Sequence, residues 1–70
     1  MKFGQIKKCI SRKDVISIMF KNGGVDLNYT DINQVPQKYD DCDIGKLGVD
    51  SMILINGYIF AGIEFLLDGD

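Results

Sequence analysis

Three groups of side chains in this sequence could do chemistry: two cysteines, a cluster of aspartates and a run of basic residues. Histidine is absent, which removes the usual general base near neutral pH and the usual partner of a cysteine nucleophile. Cys9 and Cys42 have no activating neighbour in the sequence beyond lysines. We therefore predict no catalytic residue. Two cysteines also do not complete a zinc site in one chain, although a dimer could pool four.

The acidic cluster Asp40, Asp41 and Asp43 invites comparison with a calcium-binding loop. Counted from Asp41, an EF-hand loop would place Met52 at its twelfth position, where a bidentate carboxylate is required. We therefore predict neither a metal site nor a bound cofactor. The cluster is typical of a solvated loop, and the alternative is an acidic surface that faces a protein partner.

The basic residues are concentrated at the start of the chain. Five of them precede Asp14, and all ten acidic residues follow Lys13. The net charge of −2 and the isoelectric point near 4.8 disfavour nucleic-acid binding. Either the basic residues form a solvated helix face, or they bind an anionic ligand such as a nucleotide at a subunit interface. The candidate anion or partner surface consists of Lys7, Lys8, Arg12 and Lys13.

The length predicts one small domain over residues 1–70, below the size at which a single core comfortably stabilises itself. Lys7 and Lys8 lie where the apolar region of a signal peptide would run. The two cysteines do not form the dense framework of a secreted domain. We expect a cytoplasmic protein, and the sequence leaves open whether Cys9 and Cys42 pair.

The first element is a predicted amphipathic helix. Phe3, Ile6 and Ile10 recur at the spacing of one helical face, which predicts a helix over residues 2–11. Gly4 weakens that helix, because glycine costs about 1 kcal/mol relative to alanine in a helix interior.

Residues 14–30 predict a β-hairpin. Asn22-Gly23 suits a two-residue type I′ turn, since both residues tolerate positive φ. The resulting register gives one apolar face and one mostly polar face. Pairs on the apolar face are Phe20 with Val25, Ile18 with Leu27 and Ile16 with Tyr29; opposite them lie Met19 with Asp26, Ser17 with Asn28 and Val15 with Thr30.

Residues 31–43 predict a loop that contains the only proline. Pro36 favours one helical turn through residues 37–39, with Ile32, Val35 and Tyr39 packed against the sheet. Residues 44–50 predict a strand in which Gly45 and Gly48 mark bulges or close packing.

One local motif in this region supports a resemblance. The order of helix, hairpin and then VPQKYDD before another strand resembles small uncharacterised proteins of phages and prophages of Gram-positive gut bacteria. That group has no settled activity, so the resemblance implies an origin but no site residues.

Residues 51–67, SMILINGYIFAGIEFLL, are the most apolar part of the chain. A membrane-spanning helix needs about 20 mostly apolar residues, whereas this stretch is shorter and contains Asn56, Gly57 and Glu64. We therefore predict no membrane span and instead a second hairpin that turns at Asn56-Gly57. Predicted pairs are Ile55 with Tyr58, Leu54 with Ile59, Ile53 with Phe60 and Met52 with Ala61.

Both faces of this second hairpin are apolar near the turn, so both must be covered. We expect a second copy of the chain to cover one face, through Ile53, Ile55, Tyr58 and Phe60. The alternative is that the helix packs on one side of the hairpin and the loop that contains Pro36 on the other.

The predicted fold is α+β, with a short N-terminal helix on an antiparallel sheet of about four to five strands built from two hairpins. The predicted function is that of a non-enzymatic, homo-oligomeric interaction protein. The resemblance to phage proteins further suggests an accessory protein that binds and inhibits a host protein. Two alternatives are an oligomeric sponge for an anionic ligand or nucleotide, and a structural or regulatory module of a phage or prophage.

Overall fold

The computed structural model describes residues 1–21, 23 and 26–68, and it shows one short helix beside a sheet. This arrangement confirms the α+β class. The elements are helix α1 (Phe3–Lys7), strands β1 (Val15–Phe20), β2 (Leu27–Tyr29), β3 (Asp43–Ile55) and β4 (Tyr58–Asp68), and two 3₁₀ turns (Ile32–Gln34 and Gln37–Tyr39) between β2 and β3.

The sheet has the strand order β2-β1-β4-β3. Each hairpin is antiparallel, but β1 and β4 lie side by side in parallel. The prediction of a purely antiparallel sheet was therefore wrong. The chain between β1 and β4, which includes β2, both 3₁₀ turns and β3, supplies the long connection that a parallel pair requires. The alternation within each hairpin does not indicate how two hairpins join.

The first hairpin has the predicted register. Ile16 pairs with Tyr29 and Ile18 with Leu27, and Ser17 and Asn28 lie opposite one another between them. Gly23 has a φ of 84°, and its N–H donates to the Phe20 carbonyl at 3.1 Å. Asn22 of the predicted turn and the pair of Phe20 with Val25 lie outside the described residues.

The second hairpin turns where the sequence predicts. Asn56 and Gly57 have φ values of 52° and 84°, as a type I′ turn requires. The observed pairs are Ile55 with Tyr58, Leu54 with Ile59 and Ile53 with Phe60.

Beyond these three pairs the register is interrupted by a β-bulge. A register shift between Asp50 and Ile53 leaves two residues of β3, Ser51 and Met52, opposite Ala61 of β4, so Met52 meets Ala61 within the bulge and not as a regular ladder pair. A second shift falls between Ile44 and Lys46 and confirms a bulge at Gly45. Gly48 pairs regularly with Glu64, and a Cβ there would meet nothing within 4 Å, so neither feature predicted for Gly48 is present.

One face of the sheet, called face A here, carries the helix and both 3₁₀ turns. The core on this face contains Phe3, Ile16, Ile18, Phe20, Ile32, Val35, Tyr39, Phe65 and Leu67. The rings of Phe3 and Phe65 meet edge to face at 4.9 Å between centroids. The predicted packing of Ile32, Val35 and Tyr39 against the sheet is thus confirmed.

Helix α1 is shorter than the predicted 2–11. Its first N–H groups are held by the loop, since Phe3 N donates to the Cys42 carbonyl at 2.8 Å and Gly4 N to the Asp40 carbonyl at 2.9 Å. After Lys7 the chain turns away, and Ser11 N donates to Asp14 Oδ2 at 3.1 Å. Contacts with the loop therefore stabilise a helix too short to form alone.

The opposite face of the sheet, face B, is covered by the second hairpin itself. Asn28 of β2 and Leu54 of β3 belong to opposite edges of the sheet, yet Asn28 Nδ2 donates to the Leu54 carbonyl at 3.1 Å. The distal half of the hairpin must therefore bend across face B, and the bend coincides with the register shift. Beneath it Val15 and Ser17 of β1 are buried, together with Ile53.

Gly62 allows this close approach. It pairs with Val15 where β4 meets β1, and a Cβ at residue 62 would overlap the Val15 carbonyl oxygen and lie 2.9 Å from Ile53 Cδ1. The overlap is with main chain, which side-chain rotation cannot relieve. A side chain at residue 62 is therefore incompatible with the observed approach of β1, β4 and Ile53.

We predict that Gly62→Ala lowers the free energy of unfolding by about 1–3 kcal/mol or more, because the added methyl overpacks a main-chain contact. Gly48→Ala is the matched control, since its methyl enters open space; it should change stability by less than about 1 kcal/mol. Urea denaturation followed by circular dichroism measures both. Equal effects of the two substitutions would contradict the close approach at Gly62.

Tyr29 of β2 supplies a pH-dependent contribution to stability. Burial raises the pKa of its hydroxyl above the ordinary value of 10.0, with a further contribution from the neighbouring Tyr39. The unfolded chain therefore ionises at a lower pH than the folded chain does. The contribution is complete below about pH 10 and is lost as the pH rises through the folded-state pKa.

We predict that Tyr29→Phe reduces the loss of stability on passing from pH 9 to pH 11, because it removes this linked ionisation. The readout is the free energy of unfolding measured across that range and compared with the original chain. Tyr58→Phe, at a residue 70% exposed, is the control for the loss of a tyrosine hydroxyl outside the core. An unaltered slope in Tyr29→Phe would disprove the linkage.

Candidate functional site

The most conspicuous surface feature is a set of large apolar side chains along β3 and β4, called the apolar strip here. Its members are Leu47, Val49, Met52, Leu54 and Ile59, with exposed fractions of 49%, 88%, 68%, 58% and 60%. Single exposed apolar residues are ordinary, but several along one hairpin mark an interaction surface.

Strand alternation places most of the strip on face A. Leu47 pairs with the core residue Phe65, Val49 with Ile63, and Leu54 with Ile59, which is on the same side of β4 as Phe65. Face A is covered near Phe65 by α1 and the 3₁₀ turns. Towards the turn the hairpin bends to face B, so its face A side chains point outward.

A shallow apolar groove joins the strip to the helix. It is lined by Ile6, Cys9, Ile10, Leu47, Gly48, Val49, Ile63 and Phe65. Ile6 and Ile10 pack against the core, as the helical spacing predicted, but they do not extend over Val49. The early end of α1 therefore leaves part of face A uncovered.

The strip lies beside an open sheet edge, because β3 is the last strand in the sheet. At one end Ile44 N donates to the Met1 carbonyl at 2.8 Å, and near the turn the Leu54 carbonyl accepts from Asn28. Peptide groups in an antiparallel strand point alternately toward and away from the neighbouring strand. Because the Leu67 carbonyl accepts from Lys21 N of the β1 side, Phe65 and Ile63, two and four residues earlier, also direct their peptide groups toward β1 and not toward β3. Their partners Leu47 and Val49 therefore direct theirs away from β4, and the bulge at Gly45 brings them into phase with Ile44.

The residues predicted to form an oligomer interface lie on the other side of the hairpin. Ile53 is only 3% exposed and is enclosed by its own chain, so it is not available to a second copy. Ile55 is half-buried, whereas Tyr58 and Phe60 are 70% and 37% exposed. The sequence does not indicate which side of the hairpin is buried and which is exposed, because both sides are almost equally apolar.

The predicted basic surface is partly used within the chain. Lys7 Nζ lies 3.1 Å from Asp40 Oδ1 and donates to the Val35 carbonyl at 3.4 Å, with its side chain 21% exposed. Lys8, Arg12 and Lys13 are exposed. Lys7 is thus occupied in tying α1 to the loop, and three of the four predicted cations remain at the surface.

The acidic cluster is likewise drawn into contacts with the basic N-terminal segment. Asp40 pairs with Lys7, and Asp43 Oδ1 lies 3.3 Å from Lys2 Nζ, while Asp41 is exposed. Within the described part of the chain, no three His, Cys, Asp or Glu side chains converge in a metal-binding arrangement. Some of the basic residues near the N-terminus and of the acidic residues that follow therefore form ion pairs with one another within the chain.

The two thiols are separate and free. Cys9 is exposed beside the groove, and Cys42 is half-buried at the end of the loop. No helix in the described ranges is long and apolar enough to cross a membrane.

Comparison with known proteins gives no relative. No family model matches the chain, and neither a curated protein nor a solved structure does.

We predict that a double-mutant cycle between Lys7→Ala and Asp40→Ala yields a coupling of about 0.5–1 kcal/mol at low salt. Lys21 and Asp68 form the control pair, since their charges are 3.8 Å apart and their side chains are 68% and 44% exposed; their coupling should be near zero. Denaturant unfolding supplies the free energies, and added salt should reduce the Lys7 coupling. A coupling no larger than that of the control pair would show that Lys7 does not tie α1 to the loop.

Proposed function

We propose that this chain is a non-enzymatic interaction protein that binds a protein surface through the apolar strip. The observation that supports the proposal is the exposure of Val49, Met52, Leu54 and Ile59, each more than half exposed, on a chain whose core is otherwise well covered. Removing one such side chain fully from water is worth at most about 1.5–3 kcal/mol, before the costs of association are subtracted. Several together provide the apolar centre that protein interfaces require.

The rim of the strip suits such an interface. Tyr58 and Phe60, 70% and 37% exposed, lie on the other side of the same hairpin near the turn, and aromatic residues are enriched at protein interfaces. Asn56 and Lys46 add polar groups at its margins. An apolar centre with a polar margin is the usual anatomy of a protein-binding patch.

Two classes of partner suit this surface: a second copy of the chain, and a different protein. The resemblance to phage and prophage proteins makes a host protein the natural candidate in the second class. In either case the strip rather than a catalytic centre performs the function. In cells the strip should therefore be in direct contact with a partner protein.

The test is site-specific photocrosslinking in the cells that naturally produce the protein. A benzophenone amino acid replaces Ile59 in the strip and, as the matched control, Asn33, an exposed polar residue of the first 3₁₀ turn. We expect a discrete covalent adduct from residue 59 and none from residue 33, because only the strip is covered. Mass spectrometry then distinguishes an adduct of two copies from one with another protein.

Absence of any adduct at residue 59 would contradict the proposal, provided that the variant is folded. Circular dichroism of the purified variants checks folding, and Ile59 is exposed enough that its replacement should be tolerated. Equal adducts from residues 33 and 59 would show that the strip is not a preferred surface.

A further inference from the structure

The open edge of β3 carries an inference that rests on the proposed function and specifies its partner. We propose that a second copy of the chain pairs with this edge, so that the two β3 strands run antiparallel about a two-fold axis at Gly48.

The main chain sets the first requirement. Leu47 and Val49 direct their N–H and C=O groups away from β4, while Gly48 between them pairs with Glu64. An edge with unpaired groups is a template for another strand. It is bounded on one side by the hydrogen bond of Ile44 to Met1 and on the other by that of Leu54 to Asn28. Only a short strand fits between these limits.

The edge is complementary to itself. In an antiparallel pair centred on Gly48, Leu47 of each copy lies opposite Val49 of the other, and these two pairs exchange four main-chain hydrogen bonds. Both side chains lie on face A, so two apolar cross-strand pairs form there. Gly48 has open space around its Cβ position, so nothing obstructs the close approach of the two copies at the axis.

The exposed apolar area is close to what a dimer needs. A large side chain exposes roughly 150–200 Å² when fully open, so the exposed fractions of the strip correspond to roughly 500–600 Å² per copy. If the whole strip is covered, two copies bury about 1,000–1,200 Å² before the main chain is counted, which reaches the minimum of about 1,000 Å² for a biological interface and is typical of a weak dimer.

The first measurement is the molar mass of the purified chain by light scattering across the micromolar range. We expect twice the 7.8 kDa mass of one chain. Val49→Pro should shift the product toward monomer, weakening association by about tenfold or more, because it removes a donor of each outward pair. Proline is tolerated where the N–H of an edge strand faces solvent, and circular dichroism verifies that the variant is folded.

The second measurement tests the register and needs no disruptive variant. In a Cys9→Ala, Cys42→Ala background, Gly48→Cys should form an interchain disulfide under mild oxidation, because non-hydrogen-bonded antiparallel pairs bring Cα atoms to about 4.5 Å. Lys46→Cys is the matched control, since in this register it lies far from its own copy and should not cross-link.

The outcomes separate the two proposals. A monomer at all concentrations overturns the pairing, and a simultaneous adduct with a different protein at residue 59 would leave the proposed function standing. A dimer that cross-links through residue 46 and not 48, or that survives Val49→Pro unchanged, also overturns the pairing. A dimer that cross-links through residue 48 alone supports it.

Discussion

At the centre of the sheet two strands that are far apart in the sequence lie side by side, and Gly62 is the residue that permits it. Val15 of β1 faces Gly62 of β4, and the side chain of Ile53 fills the space above the glycine. This contact allows β1 and β4 to pair in parallel from their first shared residues, with β3 on the sheet edge. It also draws the second hairpin over face B. The covered core, the bend and the exposed strip all depend on this contact.

The bend of the second hairpin explains how a chain of 70 residues covers both faces of its sheet. The helix and the two 3₁₀ turns lie on face A, so neither is available to cover face B. The chain instead uses the far half of β3 and β4, held down by the hydrogen bond from Asn28 to Leu54. The consequence is that apolar side chains on the outer side of the bend face solvent. The second hairpin thus covers face B with its inner side and presents the apolar strip on its outer side.

The charges have a related role. The basic N-terminal segment and the acidic loop look in the sequence like two separate surfaces for partners. In the structure Lys2 and Lys7 pair with Asp43 and Asp40, and the same region joins α1 to the start of β3 through main-chain hydrogen bonds. Ion pairs at or near the surface contribute about 1 kcal/mol or less each. They nevertheless orient a helix that is too short to be stable by itself, and the end of that helix at Lys7 leaves the groove beside Val49 open.

The sequence by itself determined the local structure. Asn56-Gly57 specified a turn because both residues tolerate positive φ, and alternation fixed the register of Ile16 with Tyr29 and Ile18 with Leu27. The apolar helical face that includes Phe3 followed from the spacing of the apolar residues near the N-terminus. The packing of Val35 followed from the turn that Pro36 favours. These features depend on neighbours within a few residues, where backbone preferences and side-chain periodicity act directly.

Only the tertiary structure decided how the hairpins join and which apolar face remains exposed. Two antiparallel hairpins can dock through any of four strands, and nothing in their alternation selects the parallel pair of β1 and β4. The faces of the second hairpin are almost equally apolar, so composition could not distinguish Ile53, which is buried, from Leu54, which is exposed. That choice depends on the bulge near Ile53 and on the close approach at Gly62, and both arise from contacts between residues distant in the sequence.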